Sequence, residues 1–172
     1  YALNQNILNE VNVLGYDFEP DPPEPGKPTR LLIYYRTLGR MFPMYSSYLE
    51  VNDLLDHAWI EQSGFPGSFY FPTFRWQPGE IYREAWSFTL PPDAPNGLYN
   101  LDLSWYVYDL DTRKSDYTRE FSIALGTIRV GATPTLASIT RRVDAASARG
   151  IAFVGWNANP APTNDAMMLA RG

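Results

Sequence analysis

The chain has 172 residues, a net charge of −5 and no cysteine. That length holds one ordinary domain plus a remnant, and the lack of thiols excludes a disulfide framework and any Cys-based metal or redox site. The 14 Lys+Arg are spread thinly and leave no footprint for phosphate backbones, so nucleic acid and anionic membranes are not expected partners. No apolar run approaches the ~20 residues of a membrane span. The chain opens on Tyr1 without a leader-like run, which points to a cut or processed start. Twelve Tyr and five Trp beside 15 Pro and 12 Gly read as an all-β chain with many turns.

In chain order, residues 10–17 read as a strand ending at Gly15-Tyr16. Pro20 to Pro28 holds too many prolines for a ladder and reads as a stiff loop. Leu31 to Tyr35 is apolar on both faces, as a central strand is. From Tyr45 to Val51, Tyr45, Ser47, Leu49 and Val51 alternate with Ser46, Tyr48 and Glu50. His57 to Gln62 is a further strand, and Gly64 to Gln77 is irregular and ring-rich. A strand over 81–90 turns Tyr82, Trp86, Phe88 and Leu90 inward, and Pro91 to Gly97 is a second stiff loop. Leu98 to Tyr108 alternates cleanly, with Tyr99, Leu101, Leu103, Trp105 and Val107 on one face. Thr118 to Leu125 and Thr127 to Val130 close the module. Short strands between turn signals, with no helical period, predict an antiparallel immunoglobulin-like β-sandwich over 1–130.

Residues 131–150 lose strand grammar and read as a linker, with one weak helical turn over Asp144 to Arg149. Thr163 or Asn164 is a cap for a short helix through Met168 and Leu169. Between them, Ile151 to Pro160 repeats Val11 to Pro20, 140 positions on: an apolar run, Gly, a large aromatic, an acid or its amide, then Pro. Residues 151–172 are therefore expected to hold the opening strand of a second copy. The competing reading is that two β-strands share strand chemistry by chance.

Chemistry-bearing residues are sparse. Asp109-Leu110-Asp111 has the form of a metal-holding acid pair but sits where two strands turn, where Asp bonds local N–H groups. His57 is the only histidine and has no nucleophile elbow or second His to work with. Glu80 with Glu84, or Asp17 with Glu19, are nominal carboxylate pairs that no spacing singles out. No catalytic residue, metal site or cofactor is expected, and the protein reads as a non-enzyme. The segment Phe65 to Trp76 carries more rings than folding needs. Trp76, Tyr70, Phe71 and Phe74 are the candidate ligand platform, because ring faces stack on sugars. The alternative is a loop that folds its rings over the core. Tyr106 and Tyr108 form a weaker second patch.

The order Leu14-Gly15-Tyr16-Asp17, Pro25-Gly26, Tyr35, Pro72-Thr73, Trp76-Gln77-Pro78-Gly79-Glu80, Leu90 to Tyr99 and Tyr108-Asp109 is similar to one known group. It resembles the extracytoplasmic β-sandwich accessory modules of large mannosyltransferase-like membrane proteins of green non-sulfur-type bacteria. The resemblance spans about residues 7–130 and the restart near 150. It implies a non-catalytic accessory module outside the cytoplasmic membrane that binds carbohydrate or positions a neighbouring membrane glycosyltransferase, beside other domains of a longer chain. Pro-Gly-Glu, a strand ending in Leu-Pro and Gly-x-Tyr also look like the glycan-binding sandwich of polysaccharide-export ATPases, so the expected partner is a glycan. The other reading is a structural or adhesive surface module in a tandem array.

Overall fold

The computed structural model describes residues 1–7, 9–132, 141–146 and 152–156. The chain divides into two units, Tyr1–Ala132 and Thr133–Gly172. The first contains β1 (Ala2–Ile7), β2 (Val11–Glu19), β3 (Pro28–Thr37), β4 (Met44–Asp53), β5 (Ala58–Gly64), β6 (Ile81–Thr89), β7 (Gly97–Asp109) and β8 (Lys114–Val130). A 3-10 turn, Thr73–Arg75, lies between β5 and β6. Two four-stranded antiparallel sheets, β1-β2-β3-β6 and β5-β4-β7-β8, face each other as a sandwich. The chain crosses between sheets after β3, after β5 and after β6, which is the Greek-key route of immunoglobulin-like domains. A tyrosine corner marks the start of β7, where the Tyr99 hydroxyl donates to the Pro95 carbonyl at 2.7 Å.

The period-two pattern accounts for the core. Leu31, Ile33 and Tyr35 of β3 meet Leu49 and Val51 of β4 and Leu101, Leu103 and Trp105 of β7, all fully buried. Pro28 opens β3, a position where a missing N–H is tolerated in an otherwise central strand. The break expected at Gly126 is a bulge within the 17-residue β8, where the β7 register shifts between Leu101 and Asp102. A second shift pairs Tyr106 with Glu120 but Val107 with Asp116, so Tyr117 to Arg119 loop out. β1 is a strand without an apolar signature. Its register is irregular between Ala2 and Gln5, with Asn4 at φ 64°, a conformation Asn tolerates.

In the second unit, β9 (Arg141–Ala146) pairs antiparallel with β10 (Ala152–Trp156). Arg141–Ala146 is thus a strand, where the sequence reads as linker and as a helical turn from Asp144. Ala and Arg favour helix only when nothing pairs with them, and here a partner strand supplies the ladder. The helix expected after Thr163 lies outside the described residues.

Candidate functional site

The ring-rich segment splits in two. After β5 the chain turns at Gly67, whose φ of +75° favours glycine and whose added Cβ would lie 3.1 Å from the Trp76 indole, a contact the ring must yield to accommodate. Phe71 and Trp76 then point towards Tyr82 of β6. Trp76 stacks on Tyr82 at 4.4 Å and meets Tyr35 and Trp105 in the core. Trp76 is 1% exposed, so the largest ring of the expected platform is a core plug and is not available to a ligand. The burial follows from shape. An indole fills the open end of the sandwich between the two sheets, and the loop that carries it closes over that end.

Phe65, Phe69 and Tyr70 run the other way. Phe65 meets Tyr108 edge-on at 4.9 Å and Phe69 at 5.2 Å, and Phe69 meets Tyr70 at 5.8 Å. Tyr70 is 88% exposed, while Phe71 and Phe74 are partly covered at 41% and 37% exposed. The four candidate residues therefore form no single platform. Tyr70 belongs to one group, and Phe71 and Trp76 to another.

What the Phe65–Tyr108 contact does is join the ring-rich loop to the outer face of sheet β5-β4-β7-β8. On that face, Ser46 and Tyr48 of β4 lie beside Ser63 of β5, Tyr106 of β7 and Ser115 of β8. Two adjoining depressions of about 210 and 550 Å³ share Ser46, Ser63, Ser115 and Tyr117. The looped-out segment of β8 builds one wall. Asp116 Oδ1 accepts from the Thr118 N–H at 3.0 Å and its hydroxyl at 2.6 Å, and Tyr117 stands 73% exposed, edge-on to Tyr106 at 5.0 Å. The other end opens past Phe65 and Tyr108 to Arg113 and Lys114.

The floor is hydroxyl-rich and partly bonded to itself. The Ser46 and Ser115 hydroxyls lie 2.7 Å apart, and the Tyr48 hydroxyl donates to Glu61 at 2.8 Å. Ser104 and Ser122 both donate to Glu120, at 2.8 and 2.7 Å, which lowers the Glu120 pKa. Next to this floor, Glu61, Glu50 and Asp102 stand side by side on β5, β4 and β7. Burial, then repulsion from Glu61, Asp102 and Glu120, raises the Glu50 pKa, and burial raises that of Asp102. Tyr48 is pushed up to about 12 by burial and its bond to Glu61, so it stays a donor at neutral pH. The trough thus offers hydroxyls and ring edges and faces, with Arg113 and Lys114 lining one end and the carboxylates of Glu50, Glu61 and Asp102 on the neighbouring sheet surface.

The remaining candidates take structural places. Asp109 Oδ1 accepts from the N–H groups of Asp111 and Thr112 at 2.8 and 3.0 Å, as a turn residue does. His57 is exposed in the β4–β5 turn, where Asp53 accepts from its N–H at 3.1 Å. Glu80 is exposed and bonds Tyr82, whereas Glu84 is buried inside the sandwich; the two face no common cleft. Asp17 and Glu19 lie exposed on β2. Among the described residues no cluster of His, Cys, Asp and Glu has the arrangement of a metal site, and no helix is long and apolar enough to cross a membrane.

The polar alternation of Ser46, Tyr48 and Glu50 and the pair Tyr106 and Tyr108 were visible in the sequence. Ser63, Ser115 and Tyr117 carried no signal, since only the β8 loop-out and the cross-strand register bring them together.

No protein-family model and no curated protein matches the chain. Among solved structures it is similar to the C-terminal domain of Wzt, with a TM-score of 0.50 and 13% identity over 78% of this chain and 79% of that one. A putative ApaA protein from Bordetella pertussis aligns at a TM-score of 0.39 and 14% identity, over 73% of this chain and 94% of that one. At such identity the first likeness speaks for the fold alone, an all-β sandwich.

Proposed function

We propose that this protein is a non-catalytic accessory module, outside the cytoplasmic membrane, that binds a neutral or weakly charged glycan. The binding site is the trough on the outer face of β5-β4-β7-β8. The observation that carries the reading is the combination of a serine and tyrosine floor with the protruding Tyr117 on its wall. Sugars present hydroxyls on their rims and C–H groups on their faces, and these surfaces suit both. The sequence resemblance to the glycan-binding sandwich of polysaccharide-export ATPases supports the same ligand class. Carboxylates at Glu50, Glu61 and Asp102 disfavour polyanions.

A single shallow site of this kind binds with a Kd of about 0.1–1 mM. The test is titration of neutral oligosaccharides followed by amide chemical shifts. Shifts clustered at Ser46, Tyr48, Ser63, Tyr106 and Tyr117, abolished in Tyr117→Ala with an unchanged melting point, are expected. Absence of saturable shifts in every sugar class would leave the tandem-array reading in its place. A separate observation, the register of the second hairpin, favours that reading.

A further inference from the structure

The β9–β10 hairpin reproduces the β1–β2 hairpin pair by pair. In the first, Asn12 lies opposite Asn6, Val13 opposite Gln5 and Gly15 opposite Ala2. In the second, Ala152 lies opposite Ala146, Phe153 opposite Ala145 and Gly155 opposite Arg142. Every one of these positions is shifted by the same 140 residues. The next pair also corresponds: the Tyr16 N–H donates to the Tyr1 carbonyl at 2.9 Å, and Trp156 lies opposite Arg141. The irregularity falls in the same place too, between the Val13 and Gly15 pairs and between the Phe153 and Gly155 pairs. Shared strand chemistry does not set a register, and two unrelated hairpins have no reason to place a bulge at one common offset. The repeat therefore extends upstream of Ile151 into residues that have no sequence likeness to β1.

In the first unit, β2 has β3 on its other side, in antiparallel register from Val11 opposite Thr37 to Glu19 opposite Arg30. Among the described residues β10 has β9 alone. A two-stranded hairpin is marginal in water, and an open edge is a template for another strand. We propose that β9–β10 is the opening hairpin of a second sandwich, and that the free edge of β10 is a docking site for a strand of the β3 type. That strand runs antiparallel to β10, is apolar on alternate positions like Leu31, Ile33 and Tyr35, and comes from a module of this same kind. The interaction surface is backbone hydrogen bonding along an edge, with the register set at Gly155, the counterpart of Gly15, where β2 carries one extra residue against β3.

Two experiments test this. The chain has no cysteine, so paired cysteines report the register directly. Ala145→Cys with Phe153→Cys, or Ala146→Cys with Ala152→Cys, are expected to cross-link under mild oxidation, and Ala145→Cys with Ala152→Cys is not. Cross-linking only of the off-register pair would overturn the hairpin equivalence. For the docking edge, residues 21–132 are appended after Pro160, the counterpart of Pro20, so that β10 is offered a β3 strand. A control carries the same addition but with residues 141–156 replaced by a Gly-Ser stretch of equal length. The expected result is an unfolding enthalpy per chain about twice that of the original in the first protein and close to the original in the control. Equal enthalpies in the two, whether both doubled or both not, would show that β9–β10 does not serve as an opening hairpin and would overturn the proposal.

Discussion

The Tyr35 hydroxyl donates to the Glu84 carboxyl in the middle of the sandwich, on the inner face of sheet β1-β2-β3-β6. From the opposite sheet, Ser47 donates to the other carboxyl oxygen at 2.7 Å. All three residues are buried, so one acid ties the two sheets together through a polar bridge in an otherwise apolar core. A partly satisfied buried polar group is costly, and here both oxygens have partners.

The bridge has a pH signature. Burial raises the Glu84 pKa above 4.5, outweighing the hydrogen bonds from Tyr35 and Ser47 that favour the charged form. A carboxyl whose folded pKa is raised holds its proton more tightly in the native state than in the unfolded one. Its contribution to stability is full below about 4.5 and is lost as pH rises through the folded pKa. Glu50 and Asp102 act with the same sign and Asp53, Asp109, Asp116 and Glu120 with the opposite one, so the whole-protein curve mixes them. The difference between wild type and Glu84→Gln isolates Glu84. Urea unfolding from pH 4.5 to 8 is expected to show wild type losing stability relative to Glu84→Gln as pH rises. A constant difference would refute the assignment.

Trp105 is fully buried and meets Tyr35, Tyr45 and Trp76. Trp105→Ala removes these contacts and leaves a cavity that the facing sheet cannot fill. The expected cost is about 3–5 kcal/mol in chemical denaturation.

Gly67→Ala puts a methyl group against the Trp76 ring at a positive φ. It should destabilise the protein by about 1–2 kcal/mol and alter Trp fluorescence in the native state. Gly79→Ala is the control for the backbone term, because it shares a positive φ of +85° but has open space around it.

Tyr99→Phe keeps the ring and removes the hydroxyl that bonds Pro95. The loss of one such bond is expected to cost about 1 kcal/mol, read as a lower melting point with unchanged circular dichroism.

A chain ending at Ala132 should melt close to the full-length protein, because the first unit draws its core from Ile7 to Val130 and the Gly131 N–H donates to Pro23 at 2.7 Å. A chain ending at Leu125 loses buried Ile128 and Val130 and should fail to fold cooperatively. If the chain ending at Ala132 also melts far below the full-length protein, the tail belongs to this fold.

Which strands run through the core, and which face of each is inward, was legible in the order of residues along the chain. Alternation has a period of two and is a property of neighbours along the chain, so Tyr99 to Val107 and Tyr45 to Val51 were legible without knowing what they pack against. The same count puts Glu84 on the inner face with Tyr82 and Trp86, but nothing local names Tyr35 and Ser47 as its partners. The tertiary structure alone decided four matters. β1 is polar and exists because β2 offers it an edge. Trp76 is buried because three rings from other strands surround it. The trough depends on a register shift in β8 that turns Tyr117 outward. β9 is a strand because β10 pairs with it. For Trp76 the deciding contacts with Tyr35 and Trp105 lie far away in sequence; for β1, β8 and β9 the partner is a neighbouring strand, but composition and spacing do not say which residue stands opposite which.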